Sequence, residues 1–164
     1  TQARGNTDVR SSLAQANGFI GDDLRSDMFV TCIYGILDTV KSTFEWGRAG
    51  HEPLIVAHAS GETDVFSPNG FALGVVPSSD FDELLEVETL HLKSGDRILM
   101  FTDGLTEAMN EDEEEFGMQR ILDIMNNPQQ EGMDALQAME DQVAEHVGDA
   151  AQSDDLTIVY LGVK

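Results

Sequence analysis

Two short stretches of this 164-residue chain carry residues suited to chemistry, and each sets acids against a strand-like run. In the first, Ile98-Leu99-Met100-Phe101 leads through Thr102 into Asp103-Gly104-Leu105-Thr106. Four apolar residues after a Gly95-Asp96 turn read as a buried strand. A strand is a rigid mount for a carboxylate, and the glycine behind it lets an ion or ligand approach the backbone. In the second, Ser153-Asp154-Asp155 leads into Leu156-Thr157-Ile158-Val159-Tyr160. Hard divalent cations prefer carboxylate and carbonyl oxygens, so two strand-mounted acidic clusters point to a cation site.

The same residues exclude some rivals. An Asp-x-Asp-x-Thr aspartyl phosphatase needs a second acid where Leu105 stands. No Gly-x-Gly-x-x-Gly and no Gly-Lys-Ser/Thr occurs, which removes the dinucleotide and P-loop readings. Nine Lys plus Arg against 31 Asp plus Glu give a formal charge of −22, a field that repels nucleic-acid backbones and attracts cations. Cys32 is the only cysteine, so no disulfide forms within the chain and a reducing cytoplasm fits. No apolar run is long enough to span a bilayer, and the length suits one domain.

The elements around these acids follow from periodicity. Val9, Leu13, Ala16 and Ile20 give the polar segment 1–24 a mild helical pattern. Met28–Leu37 is rich in β-branched and aromatic residues and reads as a strand, as do Thr43–Trp46 and Pro53–Ala59. Ser60-Gly61 and Pro68-Asn69-Gly70 mark turns. Val87–Leu92 and Arg97–Thr102 are expected to form a hairpin around residues 93–96. Residues 68–82 read as a long connector or a flap facing the substrate. Helices are expected over Phe116–Met125, with Ile121, Leu122 and Met125 inward, and over Asp134–Val147, ended by Gly148. A last strand covers Leu156–Val163. Strands first, helices late and one more strand predict an α+β fold of antiparallel β-sheet layers with flanking helices.

Taken in order, Met28-Phe29-Val30-Thr31, Ala49-Gly50-His51-Glu52-Pro53, Leu73-Gly74, residues 101–108, Phe116-Gly117 and Asp154-Asp155-Leu156-Thr157 resemble the bacterial PPM-type (protein phosphatase 2C-like) serine phosphatases. The resemblance is to the group of sporulation stage II protein E and the sigma-B regulator U, and runs from about Asn17 onward. It implies part of an αββα sandwich and a metal-dependent protein serine/threonine phosphatase. The implied cofactors are two Mn²⁺ or Mg²⁺ ions, which activate water and offset phosphoryl charge. It assigns Asp103 and Asp154 as metal ligands. Gly104, Asp155 and Thr102 stand at or just behind the metals, and the Thr102 and Thr157 hydroxyls orient carboxylates. No catalytic group beyond the metal ligands and no substrate-binding residue is assigned.

The family's Asp-x-x-Gly-His-Gly motif, whose Asp bridges the metals, does not occur in this chain. The chain is therefore expected to be the back portion of one truncated phosphatase domain, inactive alone and prone to self-association through strands left uncovered around Met28–Leu37 and Ile98–Phe101. The implied substrate is a phosphorylated regulatory protein such as an anti-sigma-factor antagonist, with an upstream sensor or receiver domain. The alternative is a noncatalytic interaction module that keeps the fold. Bland readings suit the other candidates: His51 structural, Glu107 exposed, residues 111–115 a solvated loop, Phe44 and Trp46 core, and His58, His91 and His146 without a role.

Overall fold

The computed structural model describes residues 8–23, 25, 28–127, 129–130, 132–152 and 154–164. Expectations that fall on residues 1–7, Leu24, Pro128 and Ser153 lie outside the described residues. In chain order the elements are α1 (Val9–Asp23), β1 (Cys32–Asp38), β2 (Thr43–Ala49), β3 (Leu54–Ala57), β4 (Thr63–Phe66), α2 (Ser78–Leu84), β5 (Val87–His91), β6 (Arg97–Phe101), α3 (Met118–Asn126), α4 (Met133–Val147) and β7 (Ile158–Gly162). All strand pairs are antiparallel. The α+β reading therefore holds. The chain forms two compact units, Thr1–His51 with Ser67–Leu92, and Glu52–Phe66 with Lys93–Lys164.

In the first unit, the strand order is β1-β2-β5. Helix α1 lies against β2 and α2 because Val9 and Leu13, four residues apart, face one way and are fully buried. Asn17 continues that stripe and is buried too. Its amide group donates to the Val76 carbonyl at 3.1 Å and accepts from the Gly74 N–H at 2.9 Å, so neither end is left unpaired. Leu73, Phe81 and Leu85 complete this core.

The turn at Gly70 is the tightest point of the unit. A Cβ there would fall 1.9 Å from the Arg48 carbonyl oxygen. Around it, Gly50 N–H donates to the Gly70 carbonyl at 3.0 Å and Arg48 Nε to the Pro68 carbonyl at 3.1 Å. The Glu86 carboxylate accepts the Asn69 N–H at 2.7 Å, which holds its pKa below the ordinary glutamate range.

In the second unit, the order is β4-β3-β6-β7. Strand β6 is interior, so four of its five side chains are buried, which is why its sequence is an apolar run rather than an alternation. Leu99 pairs with Ile55 and Tyr160, and Phe101 with Ile158. Leu99 and Phe101 enter a core with Leu105, Phe116, Ile121, Met125 and Met139. The turn into β6 is pinned by Asp96, which is 2 % exposed. Its oxygens accept the Ala59 N–H at 3.0 Å and the Lys93 N–H at 2.8 Å.

Two expectations are corrected, and one strand was missed. Residues 87–92 and 97–102 are not a hairpin, because β5 pairs with β2 while β6 pairs with β3 and β7. The Gly95-Asp96 turn is real, but its Asp96 contacts tie it to Ala59 rather than to a partner in β5. Residues 68–82 are not all loop, since Ser78 begins α2. The signal was the four-residue spacing of Phe81 and Leu85 behind Pro77. Strand β4 was not anticipated. It has only four residues and exposes Val65, which removes the apolar signature.

Candidate metal centre

The candidate acids stand on the two loops that leave the adjacent strands β6 and β7 at the same end. The ladder continues one step past the Phe101–Ile158 pair through a single side chain. Thr102 N–H donates to the Thr157 carbonyl at 3.1 Å. The Thr102 hydroxyl accepts the Thr157 N–H at 2.9 Å and donates to the Asp155 carbonyl at 3.1 Å. Thr102 thereby joins loops 55 residues apart in sequence. Its hydroxyl serves backbone groups on both sides, and Thr157 contributes its N–H.

Gly104 sits directly on the second loop. A Cβ on it would fall 2.5 Å from the Asp155 carbonyl oxygen and 3.0 Å from its carbon. The glycine is thus set by close approach of two backbones.

The loop carrying Asp103 is a tightly bonded turn. Leu105 N–H donates to the Thr102 carbonyl at 3.0 Å and Glu107 N–H to the Asp103 carbonyl at 2.8 Å. The Thr106 hydroxyl reaches the same Asp103 carbonyl at 3.1 Å. Leu105 is fully buried and anchors the turn, while Asp103 is exposed. Asp103 Oδ1 accepts the Gly104 N–H at 3.0 Å and Asp154 Oδ1 the Asp155 N–H at 2.7 Å. Among the described residues neither carboxylate has an ion-pair partner, and each keeps its second oxygen free for a cation.

This arrangement fits part of a divalent-cation site. Exposed carboxylates on bonded turns, with backbone carbonyls beside them, are the donors a hard cation takes. It is not a full set. Among the described residues no three His, Cys, Asp or Glu side chains gather where one ion could be held. Beside the acids lies a hollow of about 260 Å³, lined by Gly104, Asp154, Ala108 and Met109 and by Val143 and Ala144 of α4. Nothing in the acidic motifs announced that neighbour.

The bland readings place the remaining candidates. Thr31 Oγ1 lies 3.1 Å from His51 Nδ1, in the first unit. Glu107 is exposed. Residues 111–115 are exposed and held by Asn110, whose side-chain oxygen accepts the Asp112 and Glu114 N–H groups. His58 had been given no role, yet its Nε2 lies 3.1 Å from Asp64 and its Nδ1 3.6 Å from buried Asp96. Phe44 and Trp46 are core.

The model of the family described as stage II sporulation protein E (SpoIIE) matches residues 1–164. The chain belongs to the SpoIIE family. Among curated relatives, this SpoIIE-family chain is 26% identical over 132 residues to Protein IcfG of Synechocystis sp., covering 80% of the chain and 20% of that protein. It is 29% identical over 100 residues to the phosphoserine phosphatase RsbU of Bacillus subtilis, covering 60% of the chain and 29% of RsbU. The chain therefore spans less than a third of the length of either relative. Among solved structures, the SiaA-PP2C domain of Pseudomonas aeruginosa superposes with a TM-score of 0.79 at 18% identity. That match covers 94% of the chain and 59% of the domain. Other neighbours of this fold were solved with magnesium or with two manganese ions.

Proposed function

We propose that residues 1–164 supply one part of a single metal-dependent protein serine/threonine phosphatase domain, with Asp103 and Asp154 as its metal ligands. The observation that carries this reading is the Thr102 bridge, which sets the Asp103-Gly104 turn against the Asp154-Asp155 backbone. Membership of the SpoIIE family and the likeness to the phosphoserine phosphatase RsbU support it. Asp103 and Asp154 would hold Mn²⁺ or Mg²⁺, with Gly104 leaving room beside them and Asp155 in support. Bound there, the ions would lower the pKa of water and offset charge on the phosphoryl oxygens. The chain's own work is positional. Leu105 anchors the turn, Thr102 fixes the spacing of the two loops, and the glycine keeps side chains out of the contact.

The substrate of this reading is a phosphoserine or phosphothreonine on a cytoplasmic regulatory protein, such as an anti-sigma-factor antagonist. The phosphatase would act as the output of a signalling protein. Phosphate release from a phosphoserine protein with Mn²⁺ tests it. In the full-length protein, Asp103→Asn is expected to lower the rate more than about 100-fold, beyond the 10–100-fold typical of groups behind the ligands. An Asp103→Asn protein with unchanged turnover would overturn the assignment. The 164-residue chain alone is expected to turn over far below one per second, because its acids form only part of a cation site. That partial donor set equally favours a second reading, a noncatalytic module that keeps the fold to dock a regulator.

Self-association belongs to the same proposal. Ile98–Phe101 offers no uncovered surface, because β6 is interior and almost wholly buried; in the four-stranded sheet β4 and β7 occupy the edges, and Val65 and Val159 are 47 % and 44 % exposed. Edge strands with exposed apolar residues template pairing with another chain. The charge of −22 opposes contact, but salt screens it beyond roughly 8–10 Å. Sedimentation of the chain is expected to show dimer that increases with salt. A clean monomer at every salt concentration would remove this expectation.

A further inference from the structure

We infer that a second binding site lies at the other end of β6, built for a small phosphate- or phosphonate-bearing molecule with an apolar body. The site is a cavity of about 420 Å³ between the starts of β6 and α4 and the end of β7. Arg97, Lys164 and Tyr160 line it on one side, and Gly132, Met133 and Leu136 on the other. Four independent features converge on an anion there.

Arg97 is 7 % exposed, an unusual position for a guanidinium. Among the described residues only its Nη1 is used, donating to the Asn127 carbonyl at 3.1 Å and the Gln130 carbonyl at 3.3 Å. Its fork has five donors, so Nε and Nη2 remain for an oxyanion. The Tyr160 hydroxyl is buried and has no hydrogen-bond partner among the described residues. A buried hydroxyl without a partner is costly, and a side-chain shift that opened it to the cavity would let a ligand oxygen satisfy it. Helix α4, 15 residues long, begins at the cavity with Gly132 as its cap and no side-chain capping bond, so its first N–H groups are open. Lys164 adds a second positive charge, in a chain with nine Lys plus Arg in all.

Among the described residues one acidic side chain also lines the cavity, beside the terminal carboxylate of Lys164, and its oxygens are already engaged. Both oxygens of Asp96 are taken by the Ala59 and Lys93 N–H groups, and His58 Nδ1 lies 3.6 Å from one of them. The donors are too many for a monodentate group and suit a tetrahedral oxyanion. The volume exceeds that anion, and Met133, Leu136 and Val163 give the excess an apolar lining. Arg97 and Asp103 are six residues apart along one strand and its exit, about 20 Å at 3.3 Å per residue, so this site is separate from the acids.

The 164-residue chain itself tests the inference, in EDTA so that no metal-held phosphate contributes. Phenylphosphonate, which is not hydrolysed, is titrated while ¹⁵N–¹H spectra are recorded, with inorganic phosphate and benzyl alcohol as separate arms. Saturable shifts are expected at residues 95–97, 132–136 and 160–164, stronger for phenylphosphonate than for phosphate and absent for benzyl alcohol. Tyr160→Phe and Lys164→Gln are expected to weaken binding about tenfold each, the scale of one hydrogen bond to a charged group. Tyr160→Phe should fold with an equal or higher Tm, because it removes an unpaired hydroxyl. Asp103→Asn should bind as wild type does, which keeps this result separate from that of the phosphatase reading. No saturation by roughly 10 mM, shifts centred on Asp103 and Asp154, or binding indifferent to both Tyr160→Phe and Lys164→Gln would overturn it.

Discussion

Gly70→Ala is expected to destabilise the first unit by about 3–5 kcal/mol, a large part of the roughly 5–15 kcal/mol that holds a domain. The new Cβ would fall 1.9 Å from the Arg48 carbonyl oxygen, a backbone atom that cannot swing aside. Relief requires the Gly70 turn to move off β2. That movement breaks the bond from Gly50 N–H to Gly70 and strains the one from Arg48 to Pro68. Overpacking alone costs about 1–3 kcal/mol. A lost backbone bond adds about 1 kcal/mol, and one to a charged donor about 1.5–3. Gly61→Ala is the control. Its φ is +94°, but nothing lies within 4 Å of its Cβ position, so it carries conformational strain of about 1–2 kcal/mol without a clash. Urea unfolding of the two variants is expected to show Gly70→Ala at least twice as costly. Equal midpoints would mean that the turn does not sit against β2 as described.

Gly104→Ala is expected to act on the acids rather than on the whole fold. Its Cβ would fall 2.5 Å from the Asp155 carbonyl oxygen. That oxygen also accepts the Thr102 hydroxyl, so pushing it away opens the bridge between the two loops. The strands behind them stay paired from Phe101–Ile158 inward. The stability cost should be about 1–3 kcal/mol. Displacing groups that support metal ligands typically lowers affinity about 10–100-fold, and Mn²⁺ affinity should fall by at least that much. Thr102→Val keeps the shape and removes the hydroxyl, and should produce the milder form of the same loss. The comparison is made by water-proton relaxation during Mn²⁺ titration. A Gly104→Ala chain that binds Mn²⁺ as wild type does would contradict the role given to this contact.

The sequence made the acids and their strands legible because both depend on local pattern. Ile98–Phe101 is apolar on both faces, and an interior strand is the arrangement that requires it. Helices α3 and α4 were legible for the same reason, with Ile121 and Met125 buried as expected and Leu122 half-buried while Ile124 takes its place in the core. Partner choice was not. Nothing local in Val87–Leu92 says that it pairs with β2, 40 to 48 residues earlier in register, rather than with the strand that follows it. The purpose of Thr102 was hidden likewise, since its partners Asp155 and Thr157 are more than 50 residues away. Gly104 read as room for an ion beside the backbone, whereas the approach of a distant backbone decides its identity. Tyr160 and Arg97 carried no motif at all, because an unpaired hydroxyl and a half-used guanidinium exist only once the fold encloses them.

The central claim is that the Asp103 and Asp154 loops together form a cation-binding surface. Paramagnetic broadening by Mn²⁺ in ¹⁵N–¹H spectra of the 164-residue chain tests it most directly. Binding should be weak, because two acids supply few of the six or so oxygens such an ion takes. The account predicts that the first signals lost are those of residues 102–106 and 154–157, and that Asp103→Asn or Asp154→Asn protects both groups. Broadening centred on the acidic block 111–115, or loss of signal at one loop without the other, would contradict it.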